Sequence, residues 1–348
     1  MDVRITPPDV KPLPVPSAAP LCYNNSMLTI RTLLPHVRIA GGVRRFLELG
    51  NEFVKRGHEY SVFKPDTTPP DWFECRFPFR PIETLGDKPC DVTLCGDTGL
   101  LPVLATAPSR LRVLVAIGDR YATRYRDFLA DNPETLVIGN SSAWTEYLPG
   151  ARGVAVPGGV NLAQFTPGTR RPGPFTITAV GRVDKKREAI PVLLEAFRRL
   201  GWKDARIRVV TDETGRVPLK FFFMRGRIEL VDGRDQKDLV QYYRDSDVMV
   251  TMERTAGWSN PAAEAMACGV PVVCTRYGTQ DFADASTAIV VPVDDVHTLM
   301  KALREVREHP EAAKARVEEG LKRIRRFEWG RVAEGMLGVF EDALAAVK

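Results

Sequence analysis

The sequence is poor in the residues that hold metals. It has four histidines in 348 residues, and its six cysteines (Cys22, Cys75, Cys90, Cys95, Cys268, Cys274) form no CxxC pair and no cluster with histidine. No zinc motif and no disulfide framework is legible. Cys268 and Cys274 lie among apolar neighbours, which points to buried reduced thiols and a cytosolic setting. No run approaches the ~20 apolar residues that a membrane-spanning helix needs. Residues 1–20 are proline-rich and lack the apolar segment of a secretory leader. An excess of charge of one sign is lacking too. A net charge of +5 allows phosphate-bearing ligands or weak attraction to an acidic membrane face, and it calls for no nucleic acid. No Gly-x-Gly-x-x-Gly follows the first expected strand, which counts against a dinucleotide-dependent oxidoreductase.

What is present is a soluble globular balance, 27% charged and 44% hydrophobic, at a length that suits two domains. Residues 1–26 read as an extended arm. Met27 to Leu34 reads as a strand, followed by Gly41-Gly42 and an amphipathic helix with Val43, Phe46, Leu47, Leu49, Phe53 and Val54 on its apolar side. Gly57 closes the helix and Glu59 to Phe63 is the next strand, which completes a βαβ unit of a parallel sheet. Further strands are expected at Asp91 to Cys95, Arg112 to Ile117 and Leu136 to Gly139. The loops after them, Gly96-Asp97, Gly118-Asp119-Arg120 and Asn140-Ser141-Ser142, lie where ligands bind in open α/β sheets. Turn residues near Gly168 to Pro174 mark a boundary, after which Phe175 to Val180 restarts the pattern. The periodicity therefore predicts two tandem doubly wound α/β domains, residues 27–168 and 169–326, with a helical tail over 327–348.

The densest signal is Gly257-Trp258-Ser259-Asn260-Pro261-Ala262-Ala263-Glu264-Ala265-Met266-Ala267-Cys268-Gly269-Val270-Pro271-Val272-Val273. Asn260 is a suitable N-cap, Pro261 suits the first helical position and Gly269 a helix end. A short apolar helix thus starts at a tight loop whose free N–H groups favour an anion. Glu264 stands one turn in; by itself it reads as a carboxylate well placed near a helix N-terminus.

This stretch resembles the signature of retaining glycosyltransferases with two Rossmann-like domains (group 1, family 4-like, GT-B fold). In that family Glu-x7-Glu precedes Met-Ala-Cys-Gly-x-Pro-Val-Val. Gly41-Gly42-Val43, Val156-Pro157-Gly158-Gly159-Val160-Asn161, Val180-Gly181-Arg182 and Phe327-Glu328-Trp329 resemble further family motifs in the family's order. The resemblance implies that the domains face each other across a cleft and that the last helix crosses back to the first domain. It implies that Glu264, matching the second Glu, holds the ribose of a sugar nucleotide. The first Glu falls on Ala256, a departure from the pattern.

A sugar nucleotide needs cations for its diphosphate. Arg182, with Lys186 and Arg187, lies on the loop after the second domain's first strand, where Arg binds phosphate as a fork and Lys as a point charge. The plain alternative for such a run is a solvated edge. Gly41 and Gly42 allow a tight turn and close approach of backbone to a phosphate. Gly257, Trp258, Ser259 and Asn260 offer N–H groups and small polar side chains to the sugar; Trp258 is either a stacking face or a hydrophobic plug. The first-domain loops carry no histidine near the expected reaction centre. Asp119 and Asp97 are candidates for acceptor contacts, with turn or cap residues as the alternative. Glu253, at a strand end, is the candidate to replace the carboxylate missing at Ala256. Catalytic expectations therefore fall on Glu253 and Asp119. The resemblance implies a metal-independent transfer without a cofactor, from a UDP-, GDP-, ADP- or dTDP-sugar to a carbohydrate, lipid-linked or small-molecule hydroxyl. A cytoplasmic protein, at most touching the inner face of a membrane, is the matching expectation; a non-catalytic GT-B subunit is the rival.

Overall fold

The computed structural model describes residues 26–181, 189–211, 224, 226–233, 235–255 and 257–346. The arm expected over 1–26 lies outside these but for its last residue, and so do Cys22, Arg182, Lys186, Arg187 and Ala256. The first unit runs β1 (Thr29–Leu33), α1 (Gly41–Lys55), β2 (Glu59–Lys64), β3 (Phe79–Pro81), β4 (Cys90–Cys95), α2 (Leu101–Ala105), β5 (Ser109–Ala116), α3 (Ala122–Asp131), β6 (Leu136–Gly139), α4 (Trp144–Tyr147) and β7 (Gly153–Ala155). The second runs β8 (Phe175–Val180), α5 (Ile190–Leu200), β9 (Ala205–Thr211), β10 (Ile228–Asp232), α6 (Gln236–Arg244), β11 (Val248–Thr251), α7 (Asn260–Ala267), β12 (Val272–Cys274), β13 (Ile289–Val290), α8 (Val296–Glu308), α9 (Pro310–Ile324) and α10 (Trp329–Ala346).

Each unit is built on one parallel sheet, with strand order β3-β2-β1-β4-β5-β6-β7 in the first and β10-β9-β8-β11-β12-β13 in the second. The order reverses beside β1 and beside β8, which opens a crevice at the carboxyl ends of those strands. The central strands are buried on both faces, so they read as apolar runs rather than alternations. α1 buries Val43, Phe46, Leu47, Leu49 and Phe53 against the first sheet. It ends at Gly57, whose φ of +86° lets its N–H reach back to the Val54 carbonyl. Among the described residues no helix is long and apolar enough to cross a membrane.

α10 does not pack with the sheet that precedes it. Its Trp329, Val332, Met336, Leu337 and Phe340 join the apolar cluster of α1 and the first sheet. The chain therefore crosses between the units at two places. On the way out, Val156 belongs to the first cluster, whereas Val160 and Phe165 are already buried with second-unit side chains. On the way back, Phe327 lies against the second unit and Trp329 in the first. The two crossings touch: the Val160 N–H donates to the Phe327 carbonyl at 2.8 Å.

The segment after Phe165 is stapled to the second unit. Arg170 pairs with Asp247 at 2.7 Å, Arg171 pairs with Asp245, and Arg244 Nε donates to the Thr166 carbonyl at 3.0 Å. Burial passes from the first cluster to the second over 156–160, upstream of the boundary expected at residue 168.

Candidate functional site

A cavity of about 490 Å³ opens between the carboxyl ends of the two sheets. The first unit lines it with Gly41 and Gly42 at the start of α1 and with Gly118 and Arg120 after β5. The second unit lines it with Gly181 after β8, Glu253 after β11, and the 257–261 loop with Glu264. The residues expected at the donor site and described here, Gly41, Gly42, Gly257, Trp258, Ser259, Asn260 and Glu264, are thus brought to one wall system, together with Glu253.

Two helices begin at this cavity. α1 starts at Gly41 after an extended Ala40, and α7 starts at Asn260 after Ser259; neither has a side-chain cap. Both leave first-turn N–H groups without intrahelical partners, so both favour an anion in the space they share. Asn260, expected as the N-cap, is already the first helical residue, and Ser259 holds the cap position. Ser259 Oγ is buried with no hydrogen-bond partner, and so is Trp258 Nε1. Both are polar atoms available to a ligand. The Trp258 ring itself packs at 4.9 Å from Phe282 and 5.1 Å from Phe327, over Gly158, where a Cβ would come within 2.2 Å of it. The ring is a plug.

Arg45 lies on the same wall and is only 2% exposed. It donates to Asn140 Oδ1 at 2.8 Å and to the Pro157 and Val156 carbonyls at 2.9 and 2.7 Å, while its Nε is unpartnered. Among the described residues it makes no ion pair. Burial pulls its guanidinium down to about 9. A buried cation without a counter-charge is costly, and a bound anion in the adjoining cavity would lower that cost.

Glu264 is 6% exposed and lies on α7 among alanines. The Tyr243 hydroxyl donates to its Oε2 at 2.8 Å, and Arg44 Nη1 of α1 donates to its Oε1 at 3.0 Å. Burial raises its carboxyl above the usual range, and the Arg44 guanidinium opposes the rise. Tyr243 is pushed well up, first by burial and then by the Glu264 charge. Sequence reasoning missed Arg44, Arg45 and Tyr243. One signal was available: two cations in the opening turns of a helix oppose its dipole, so a specific partner was due.

Glu253 is 8% exposed, and its own carbonyl accepts from Thr275 Oγ1 at 2.6 Å, which anchors the backbone at the end of β11. Asp119 departs from expectation. It does not line the cavity, although Gly118 and Arg120 do; it sits in the turn after β5 near Tyr147, whose hydroxyl is pushed up first by burial and then by the Asp119 charge. The extended Gly118 carries the chain into a 3-10 turn that presents the arginine, and not the aspartate, to the cleft. Asp97 closes its own turn by accepting from the Gly99 N–H at 2.8 Å. Neither aspartate is among the residues that line the cavity, and Asp119 Oδ1 is buried without a hydrogen-bond partner.

The chain is similar to several known proteins. Residues 174–309, nearly all of the second unit, match the family model "Glycosyl transferases group 1". The D-inositol 3-phosphate glycosyltransferase of Saccharomonospora viridis is 32% identical over 114 residues, 32% of this chain and 26% of that protein. The MMP alpha-(1->4)-mannosyltransferase of Mycolicibacterium hassiacum is 28% identical over 228 residues, 62% of this chain and 55% of that protein. The chain thus spans about half, or less, of the length of the curated relatives it matches. The structure of sucrose-phosphate synthase from Thermosynechococcus elongatus superposes with a TM-score of 0.72 at 20% identity, covering 92% of this chain and all of that one. HepE of Anabaena, in complex with UDP-glucose, superposes with a TM-score of 0.73 at 13% identity, covering 90% of this chain and all of that one. The fold is GT-B, with two Rossmann-like units.

Proposed function

We propose that this chain, whose second unit carries the group 1 glycosyltransferase match within a GT-B fold, transfers a sugar from a nucleoside diphosphate sugar to an acceptor hydroxyl with retention of configuration. The observation that carries the reading is the convergence of two uncapped helix N-termini and a buried Arg45, which makes no ion pair among the described residues, on a cavity that also holds the buried carboxylate of Glu264. In the reaction the bond from the anomeric carbon to the diphosphate oxygen breaks on the face where the acceptor oxygen attaches. The acceptor's proton passes to the departing diphosphate. The protein's share is to hold the leaving charge with preorganised N–H groups and cations and to orient the two substrates. Arg182, Lys186 and Arg187 are assigned to the diphosphate on the resemblance of Gly181-Arg182 to the family motif. In this reading the leaving charge needs no metal ion.

The acceptor side is the first unit. Arg120 on its wall suits an acceptor bearing an acidic group, and one relative is named for an inositol phosphate. The rival, a GT-B subunit that binds but does not transfer, is favoured by two features, the alanine at 256 and the lack of a histidine near the expected reaction centre on the first-domain loops. Purified protein should release UDP, GDP, ADP or dTDP from a matching nucleotide sugar when offered inositol phosphate, simple sugars or lipid-linked acceptors. Binding of a nucleotide sugar with no release for any acceptor would leave the rival standing.

A further inference from the structure

We infer that Arg44 is a positioning residue for the donor: reaching from the first unit, it holds the Glu264 carboxylate in place, so that the ribose-binding group of one unit is completed by the other. The inference rests on the donor-site reading above. Arg44 and Glu264 are separated by 220 positions in the chain and meet only because the units face each other. The pair is well shielded, with side chains 13% and 8% exposed. The guanidinium is gripped from several sides. Beyond Glu264, its Nη2 donates to Gln164 Oε1 at 3.3 Å, its Nε to Glu48 Oε1 at 3.4 Å, and its Cζ lies 5.5 Å from the centre of the Phe165 ring. Gln164 and Phe165 belong to the segment just past the outward crossing, so the contact ties α1, that segment and α7 together. Such a bond is more than a surface ion pair, because both ends are largely buried.

The arrangement also leaves capacity. An ionised carboxylate has about four lone-pair sites, and Tyr243 and Arg44 each occupy one oxygen from one direction. Glu264 lines the cavity and keeps acceptor sites for two vicinal hydroxyls. The groups that face it are Arg44 from α1, Tyr243 from α6 and Cys268 from its own helix, with Glu48 drawing on the same arginine. Arg44 is the cation among them. Without it, burial is opposed only by the tyrosine's hydrogen bond, and Glu264 takes up a proton at higher pH than in the parent. A protonated carboxyl keeps one fewer acceptor for the ribose. Loss of Arg44 therefore weakens the donor site most on the acid side.

Titration calorimetry with UDP and with GDP, at pH 8 and pH 6, tests this. Arg44→Met should weaken whichever nucleotide the parent binds by about 10-fold at pH 8, the scale of one charge-assisted bond, and by clearly more at pH 6, while the parent changes little. Arg44→Lys should recover most of the pH 6 loss, because it restores the charge without the fork. Glu264→Gln should weaken binding to a similar extent, and adding Arg44→Met to it should cost little further, as expected for residues acting through one another. If Arg44→Met does not fold, the comparison of Arg44→Lys with the parent at the two pH values carries the test, with a modest loss at both. Unchanged affinity in Arg44→Met at both pH values overturns the inference, and so does tighter binding, which would make Arg44 a competitor of the ribose. If the parent binds neither UDP nor GDP, nor ADP nor dTDP in the same cell, the donor-site reading itself is lost and this inference with it.

Discussion

Gly41→Leu is expected to cut kcat/KM by about 100-fold while leaving thermal unfolding within a few degrees of the parent. Gly41 opens α1 on the first unit, and a Cβ built on it would stand 2.5 Å from Asn260 Nδ2 on the second. No ordinary Cβ contact is that short. An alanine asks only that the Asn260 amide turn aside, so Gly41→Ala should be mild. A leucine fills the gap between the two helix starts, where the anion is expected, and wedges the units apart. A displacement of ~1 Å between reacting groups costs on the order of 100-fold. Folding should be spared, because the glycine faces the cleft and not the apolar cluster below α1. Steady-state kinetics on the working donor, with small-angle scattering at saturating nucleoside diphosphate, would show the loss and a wider molecule. Asn260→Gly in the same chain should return part of the activity. Parent-like kinetics in Gly41→Leu would mean that the units do not need to meet at this point.

Glu253→Gln should lower kcat by about 100-fold or more, with nucleoside diphosphate affinity within about 3-fold of the parent. The argument is one of place. Glu253 is buried, lines the cavity, and follows β11 three positions before Ala256 in the sequence, where the resemblance to the family pattern implies a carboxylate. Its backbone is anchored by Thr275, which limits how far it can wander. A carboxylate there would stabilise positive charge as the glycosidic bond breaks, a contribution absent from the ground state. Replacement by the isosteric amide removes that charge and little else. Ala256→Glu should then help little, because the space is already served. The opposite pair of results, a gain in Ala256→Glu and silence in Glu253→Gln, would strip Glu253 of any role.

The architecture was legible because its elements carry strong periodicity. α1, α5 and α8 each show one apolar face, and the central strands are near-continuous apolar runs bounded by glycine or polar turns. α3 escaped notice because Tyr125 and Phe128 are its only buried side chains. β7 is three residues at a sheet edge, too short for any pattern to declare itself. The last helix's return to the first unit came through a family resemblance; its periodicity says only that one face is apolar, not which surface covers it.

Of the residues singled out in the sequence, those that line the cavity are the ones with a local signal: glycines before a helix, a loop that opens α7, a carboxylate on an apolar helix. Arg44 and Tyr243 act across the fold, from α1 and α6 onto α7, and no local pattern reports such a meeting. Asp119 has a strand-end address, but of the turn after Gly118 it is Arg120 and not Asp119 that lines the cavity.

The central claim is that the cleft is a nucleoside diphosphate sugar site, and equilibrium binding tests it without any knowledge of the acceptor. Thermal unfolding of the purified chain should be followed with UDP, GDP, ADP and dTDP, each at millimolar concentration, alongside Glu264→Ala. The account predicts that at least one nucleotide stabilises the parent, by roughly 2.7 kcal/mol if present at a hundred times its Kd, and that the variant loses most of this gain. No stabilisation of the parent by any of the four, or the same gain in Glu264→Ala, would contradict it.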